Sequence, residues 1–179
     1  MKTITTLAAI GLLFFACKVC SSGNSNRRID VDVSPSPRNL MYARDFIKPQ
    51  LGPFTLVKSY DKAEARRTAS GAAVKFIDQS TDTVAAEYKS SSVTSVVLMV
   101  CSYSNSATPA SLVAEMERDM RRSTAWRSVN NVPRTNGTRI EGEDSKGNGL
   151  VIWNNGFWLF MTVGNSLSDT TSLANSVGY

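Results

Sequence analysis

Four carboxylate residues are the first candidates for a metal-binding or hydrolytic site in this sequence. Glu141, Glu143 and Asp144 stand before the turn residues 147–149, and their oxygens could bind Ca²⁺. They lack the spacing and the distal glutamate of an EF-hand loop, which favours a solvated hairpin turn. Glu87 alternates with apolar neighbours and is predicted on the solvent side of its strand. Convergence of Glu87 with Glu141 or Glu143 in one cleft would instead favour a hydrolase-like enzyme.

Other catalytic patterns are absent or incomplete. The sequence contains no histidine, which excludes a Ser-His or Cys-His couple and a Cys/His metal cluster. Ser59 and Lys62 match S-x-x-K, but the companion motifs K-T-G and S-D-N are missing and Ser59 falls in a predicted strand, so a chance match is favoured. No glycine-rich phosphate loop is present. We therefore predict no catalytic residues, no cofactor and no metal.

Arg118, Arg121 and Arg122 form a basic group on a predicted helix. On a helical wheel they lie opposite the apolar residues of that helix, so a solvated outer face explains them. A polyanion site is the sharper alternative, but acidic residues share the helix and no row of aromatic residues accompanies the arginines. We therefore expect no nucleic acid partner and keep the three arginines as a candidate ligand or partner surface.

The segment "GLVIWNNGFWLFMTVG", residues 149–164, raises a choice between a ligand groove and a core for Trp153 and Trp158. Asn155 and Gly156 between two apolar runs predict a hairpin with a tight turn. Both faces of this hairpin are apolar, which favours burial beneath covering helices. Both tryptophans remain candidates for a ligand or partner surface if that interpretation fails.

The first 22 residues have the composition of a secretory signal. Lys2 precedes an apolar stretch over residues 4–16, and small residues follow it. At about 1.5 Å per residue this stretch cannot cross a hydrocarbon core of about 30 Å, so residues 1–22 are predicted to be a signal peptide and not a membrane span. We expect the protein to be exported, to the periplasm, the outer face of a membrane or the extracellular space.

Residues 14–17, "FFAC", leave two ways of processing open. They resemble the lipobox of bacterial lipoproteins, whose cysteine is acylated and becomes the new N-terminus. Ala16 fits this pattern, whereas the two phenylalanines depart from its aliphatic and small residues. In this interpretation Cys17 is the lipidation site and anchors the protein to a membrane. Cleavage near residues 21–22, which gives a free secreted form, is the alternative.

The rest of the chain divides into a tether and one domain. Residues 23–39, "GNSNRRIDVDVSPSPRN", cannot bury apolar surface, and their composition predicts a disordered tether. Residues 40–179 are numerous enough for one core and are predicted to form a single globular domain. Cys101 lies in an apolar run, which predicts a small buried side chain, with a Cys20 to Cys101 disulfide as the less favoured alternative.

Hydrophobic periodicity gives the order of the elements in this domain. Thr108 and Ser168 are the predicted N-caps of two helices, at residues 109–125 and 168–177. Strand patterns surround them, and a strand over 93–103 with apolar residues on both sides must be covered on both faces. The order predicts the α+β class, an antiparallel sheet of about five to six strands with two main helices packed on it. The predicted strands cover residues 54–60, 83–89, 93–103, 138–143 and both arms of the 149–164 hairpin.

Two stretches of this domain carry a resemblance to known families. "AAEYKSSSVTSVVLMVCSYSNSATPASLVAEM" followed by "GLVIWNNGFWLFMTVGNSLSDTTSLANSV" resembles small envelope proteins and lipoproteins of bacteria, and more distantly PsbP-like domains. The resemblance covers about residues 54–177, and it implies an accessory or binding domain with no catalytic residues to carry over. We therefore favour an exported, noncatalytic domain of the cell envelope that binds an envelope protein or a small ligand. A carboxylate- or metal-dependent hydrolase-like enzyme is the alternative.

Overall fold

The computed structural model describes residues 42–91 and 94–178, so the predicted signal peptide (1–22) and tether (23–39) lie outside the described residues. In the described part, no helix is long and apolar enough to cross a membrane. The strands are β1 (Gln50–Leu51), β2 (Phe54–Tyr60), β3 (Asp82–Ser90), β4 (Ser95–Ser102), β5 (Trp126–Arg134), β6 (Gly137–Asp144), β7 (Gly149–Asn155) and β8 (Trp158–Gly164). The helical elements are a 3₁₀ turn (Ala43–Phe46), α1 (Lys62–Thr68), α2 (Ala72–Gln79), α3 (Ala107–Arg122) and α4 (Leu167–Ser176).

The strands form one antiparallel sheet in the order β1-β2-β3-β4-β8-β7-β6-β5. The chain runs from β1 to β4 through neighbouring strands, crosses by α3 to the far edge, and returns from β5 to β8. This return places β8 beside β4, with Met99 opposite Met161 at the centre of the sheet. The first strand of each half of the chain, β1 or β5, is therefore an edge of the sheet, and the last strands, β4 and β8, form the centre of the sheet.

Both faces of the sheet are covered, as the apolar runs predicted. Met99, Met161 and Ile152 belong to a core with residues of α1, α2 and α3, and we call this side the front face. Leu98, Phe160 and Trp153 belong to a second core with residues of the 3₁₀ turn and α4, on the back face. The residues alternate between the two cores along β4, β7 and β8, because neighbouring side chains of a strand point to opposite faces.

The predicted strand number is wrong, because the described sheet has eight strands and not five to six. The short strand β1 and the edge strand β5 were not predicted from the sequence. In β5 most side chains are exposed, since an edge strand pairs on one side only and needs no buried alternation. The sequence "WRSVNNVPR", with Pro133 near its end, therefore reads as a polar loop, and Pro133 is tolerated there because β5 is an edge.

The prediction of two main helices is also wrong, because four α-helices are present among the described residues. The two unpredicted helices, α1 and α2, have only 7 and 8 residues. Helix α1 buries one side chain, that of Ala65, so the apolar periodicity that identifies a helix is almost absent from it. Asp61 caps this helix by accepting a hydrogen bond from the Glu64 backbone N–H at 2.8 Å.

Three local predictions shift by one or two residues. Helix α3 begins at Ala107, and its Thr108 is not the N-cap but donates its backbone N–H to Asn105 Oδ1 at 2.9 Å. Helix α4 is capped by Ser166 and not by Ser168. The last hairpin pairs Asn155 with Trp158, so its turn residues are 156 and 157. The glycine at 156 has a φ of +56°, which explains why the turn takes glycine there.

Candidate functional site

The two candidate tryptophans occupy different environments on the back face. Trp153 has no exposed surface and stacks on Phe160, with ring centroids 5.0 Å apart and an interplanar angle of 9°. It therefore belongs to the core, as the sequence favoured, and it offers no free surface to a ligand. Trp158 is half-buried and contacts Phe46 edge to face, with a centroid distance of 4.9 Å. Trp158 thus closes the border of the back core.

The arginines of α3 lie far from these tryptophans. Arg118, Arg121 and Arg122 are exposed on the outer side of α3, and α3 covers the front face, whereas Trp153 and Trp158 lie on the back face. Arg121 is paired with Glu117, its Nη2 atom lying 2.8 Å from Oε1. The candidate residues therefore do not form one surface, and the position of the arginines is that of a solvated helix face.

The carboxylates do not converge. In the register of the sheet, Glu141 faces Val151 and lies on the back face, whereas Glu87 faces Val97 and lies on the front face. Glu143 lies two residues after Glu141, so its side chain also lies on the back face. No cleft brings Glu87 together with either of them, because the sheet itself stands between.

The Asp144 carboxylate accepts hydrogen bonds from residues of the turn that follows it. Its Oδ1 atom accepts the backbone N–H groups of Lys146 and Asn148 at 2.8 and 2.9 Å, and its Oδ2 atom accepts the side-chain amide of Asn148 at 2.8 Å. Among the described residues no group of three or more His, Cys, Asp or Glu side chains is placed to hold a metal ion. The hairpin interpretation therefore accounts for this acidic segment.

The S-x-x-K match also has a structural explanation. Ser59 lies in β2, as predicted, and Lys62 begins α1. The Lys62 Nζ atom donates a hydrogen bond to the Ser80 carbonyl oxygen at 2.5 Å, which fastens α1 to the end of α2. Ser59 pairs with Ala86 of the back core, so its side chain points to the back face while α1 lies in front.

An apolar recess on the front face is the candidate site that the structure adds. It lies between α1, α2 and the central strands and encloses about 40 Å³. We call it the front groove. Small side chains of α1, α2 and the residue that caps α1 leave this space open, since a larger residue at any of these positions would close it. The helix side of the groove is formed by Ala65, Ala69 and Ala73, and its floor by Val97, Met99, Met161 and Val163.

Two polar side chains, those of Tyr60 and Glu87, lie at the border of the front groove. Tyr60 lines the groove, and the Lys58 ammonium lies 4.5 Å from the centroid of its ring. Burial, followed by the negative charges of Glu87 and Glu64, raises the pKa of the Tyr60 hydroxyl above its ordinary value. The hydroxyl is therefore neutral at neutral pH and can both donate and accept a hydrogen bond.

Glu87 is buried and not on the solvent side as predicted, with a relative exposure of 8%. Its strand alternates as expected, but α1 and α2 cover the face to which Glu87 points. Ser95 donates its hydroxyl to Glu87 Oε1 at 3.1 Å, and the Lys89 ammonium lies 3.9 Å from the same oxygen. The carboxylate is thus held beside Val97, which forms part of the groove floor.

Two other concavities are more polar than the front groove. One, of about 150 Å³, lies between two turns and is lined by Arg134, Asn136 and Asn154 among others. A wider and open one, of about 640 Å³, lies beside Tyr42. In the second, Asp82 already accepts the Ala43 backbone N–H at 3.0 Å. The lining of the front groove is thus more apolar than that of either of these two concavities.

Cys101 is a buried residue of the front core, as predicted, and is a free thiol. Thr83 donates its hydroxyl to Cys101 Sγ at 3.3 Å. Burial raises the pKa of this thiol to about 11. A protonated and inaccessible thiol is a poor nucleophile, so Cys101 is a structural residue of the front core.

Comparisons with known proteins add little to this geometry. No protein family model matches the sequence, and no curated protein matches it. Among solved structures, a GTP binding regulator from Thermotoga maritima is similar at 13% sequence identity, with a TM-score of 0.44, over 70% of this chain and 73% of that chain. A likeness of this degree carries no argument about function.

Proposed function

We propose that this protein is an exported, noncatalytic binding domain of the bacterial cell envelope. Residues 1–22 direct export in this account, and residues 23–39 tether the domain. Cys17 carries the lipid that anchors the chain to a membrane. The composition of these segments supports the proposal, as does the resemblance of residues 54–177 to small envelope proteins and lipoproteins and, more distantly, to PsbP-like domains.

The observation that carries the binding role is the front groove. Apolar side chains line it. Protein interiors are close-packed and contain few spaces of this size, so an unfilled apolar recess is unusual. Its volume of about 40 Å³ accepts a group the size of a short alkyl chain and excludes a large ligand. We infer that it receives one apolar group of an envelope protein or a small ligand, beside the neutral hydroxyl of Tyr60.

The hydrolase alternative finds less support in the described residues. Two carboxylates that share general acid and base work must approach the same substrate bond. Glu87 lies on the opposite face of the sheet from Glu141. Glu87 is moreover engaged by Ser95 and Lys89. The binding role therefore remains our proposal, with the groove as its site.

Export and anchoring are tested on the mature N-terminus. We expect the mass of the N-terminal peptide to show a lipid on Cys17, and the Cys17→Ala variant to be released from the membrane fraction. A mature N-terminus at residue 22 or 23 without lipid would contradict anchoring and keep export. An uncleaved chain in the cytoplasm would contradict both.

The capacity of the groove is tested with xenon, an apolar probe of suitable size. We expect xenon to shift the NMR signals of the Met99 and Met161 methyl groups, and an Ala69→Leu variant to abolish these shifts because leucine fills the groove. Ala63→Leu is the matched control, since Ala63 is an exposed residue of α1, the helix that Ala69 caps at its C-terminus. Unshifted methyl signals in the unmodified protein would contradict an accessible groove.

A further inference from the structure

A buried charged residue on the back face is not explained by the groove. The Arg139 side chain is on β6, and the residue is only 6% exposed. Its Nη2 atom lies 2.7 Å from Glu141 Oε1, and its Nη1 atom donates a hydrogen bond to Asn175 Oδ1 at 2.7 Å. The ion pair neutralises the guanidinium, and the bond to Asn175 fastens the last turn of α4 to the sheet.

Three buried side-chain atoms lack a hydrogen-bond partner among the described residues, and two of them belong to Arg139 and its cross-strand neighbour. They are Arg139 Nε, Trp153 Nε1 and Thr171 Oγ1. Arg139 and Trp153 are direct partners across β6 and β7, and the guanidinium carbon lies 5.9 Å from the indole ring. Thr171 precedes Asn175 by four residues, so both lie on the same side of α4.

Such a concentration of unpaired groups needs a physical explanation. Buried polar groups in native proteins are nearly always hydrogen-bonded, because burial removes the water that would otherwise bind them. The Nε–H of arginine and the Nε1–H of tryptophan can only donate. Arg139 and Trp153 therefore require an acceptor, whereas the Thr171 hydroxyl can donate or accept.

We propose that Arg139 Nε–H and Trp153 Nε1–H donate to one shared oxygen of a water-sized, uncharged ligand, and that the Thr171 hydroxyl is its third partner. The Glu141 carboxylate already balances the arginine, so an anion would add uncompensated charge. The near-complete burial of Arg139 and Trp153 excludes a larger ligand unless α4 moves. A single internal water meets these conditions, since buried waters make about three hydrogen bonds.

This site links β6, β7 and α4 through one ligand. It adds a connection to the direct Arg139 to Asn175 bond and holds the C-terminal helix over Trp153. The front groove lies on the other face of the sheet, so neither site depends on the other. Arg139 and Thr171 become ligands of an internal hydration site.

The experiment uses the mature chain and water itself as the probe. The indole signal of Trp153 is assigned as the one lost in Trp153→Phe, a variant that removes the donor and keeps an aromatic ring. We expect this indole proton to show a direct magnetisation-transfer peak to a long-lived water. We also expect the amplitude of the oxygen-17 relaxation dispersion to be smaller in Trp153→Phe than in the unmodified protein, by the contribution of one such water. Trp158→Phe, the matched control, should leave that amplitude unchanged.

The isosteric Thr171→Val variant gives a second readout that does not depend on the tryptophan. We expect it to shorten the residence time of the same water, because one of three partners is removed. The proposal is overturned if the Trp153 indole proton shows no transfer to water, or if the dispersion amplitude is equal in the unmodified protein and in Trp153→Phe. Transfer to a co-purified organic molecule in place of water would overturn it as well.

Discussion

Removal of the Trp153 side chain tests whether this residue is buried in the back core. Trp153 has no exposed surface, and its ring stacks on Phe160. The Trp153→Ala change deletes a buried indole and leaves a cavity between α4 and β7, which typically costs about 3–5 kcal/mol of unfolding free energy. Trp158 is half-buried, so Trp158→Ala should cost about 1–2 kcal/mol, in proportion to the apolar area that it covers.

Urea denaturation followed by circular dichroism measures both values. The midpoint should fall for both variants, and more for Trp153→Ala, while the slope stays that of the unmodified protein. Because a loss of about 3–5 kcal/mol can unfold a marginally stable domain, Trp153→Phe provides a milder change in the same place. Iodide quenching of single-tryptophan variants adds a second measurement, in which Trp153 should be protected.

Two results would refute this reasoning. One is a loss below about 1 kcal/mol for Trp153→Ala, since removal of a buried large aromatic side chain typically costs about 3–5 kcal/mol. The other is full quenching of Trp153 fluorescence by iodide, which requires contact with solvent. Either result would place Trp153 on the surface and return it to the candidate binding residues.

Three further predictions concern particular side chains. Gly156→Val should lower stability by about 1–2 kcal/mol, because valine must adopt the positive φ of this turn. Gly149→Ala should cost about 1–3 kcal/mol, since its methyl group would overlap the backbone of Leu167, whereas Gly147→Ala meets no atom and should be limited to backbone strain. Cys101 should resist alkylation at pH 8 until the protein unfolds, because burial raises the pKa of its thiol to about 11. Thermal melts and peptide mass mapping check these results.

The central strands were predictable from the sequence because their environment leaves a pattern. In β4, β7 and β8 apolar residues stand on both sides, and both sides are covered in the structure. The edge strand β5 was not predictable, because its side chains are mostly exposed and any polar segment can take that place. Helices α1 and α2 are short, and a single buried alanine gives α1 no periodicity.

The candidate site was less predictable than the fold. The front groove depends on Ala65, Ala69 and Ala73, and alanine is too common in helices to indicate a cavity. Glu87 follows the predicted alternation, but its burial depends on helices that the sequence pattern did not reveal. Arg139 left a usable signal, since Arg139 and Glu141 are two residues apart and therefore share one face of their strand.

Photo-crosslinking in living cells tests whether the exported domain binds through the front groove. A photoreactive phenylalanine analogue replaces Thr68, a half-buried residue of the groove, in the full chain. We expect one discrete adduct in the envelope fraction, which disappears when Ala69→Leu fills the groove. The same analogue at the exposed Ala63 should give no such adduct. Binding through the front groove would be contradicted by an identical adduct from both positions, by an adduct that survives Ala69→Leu, or by no adduct from Thr68.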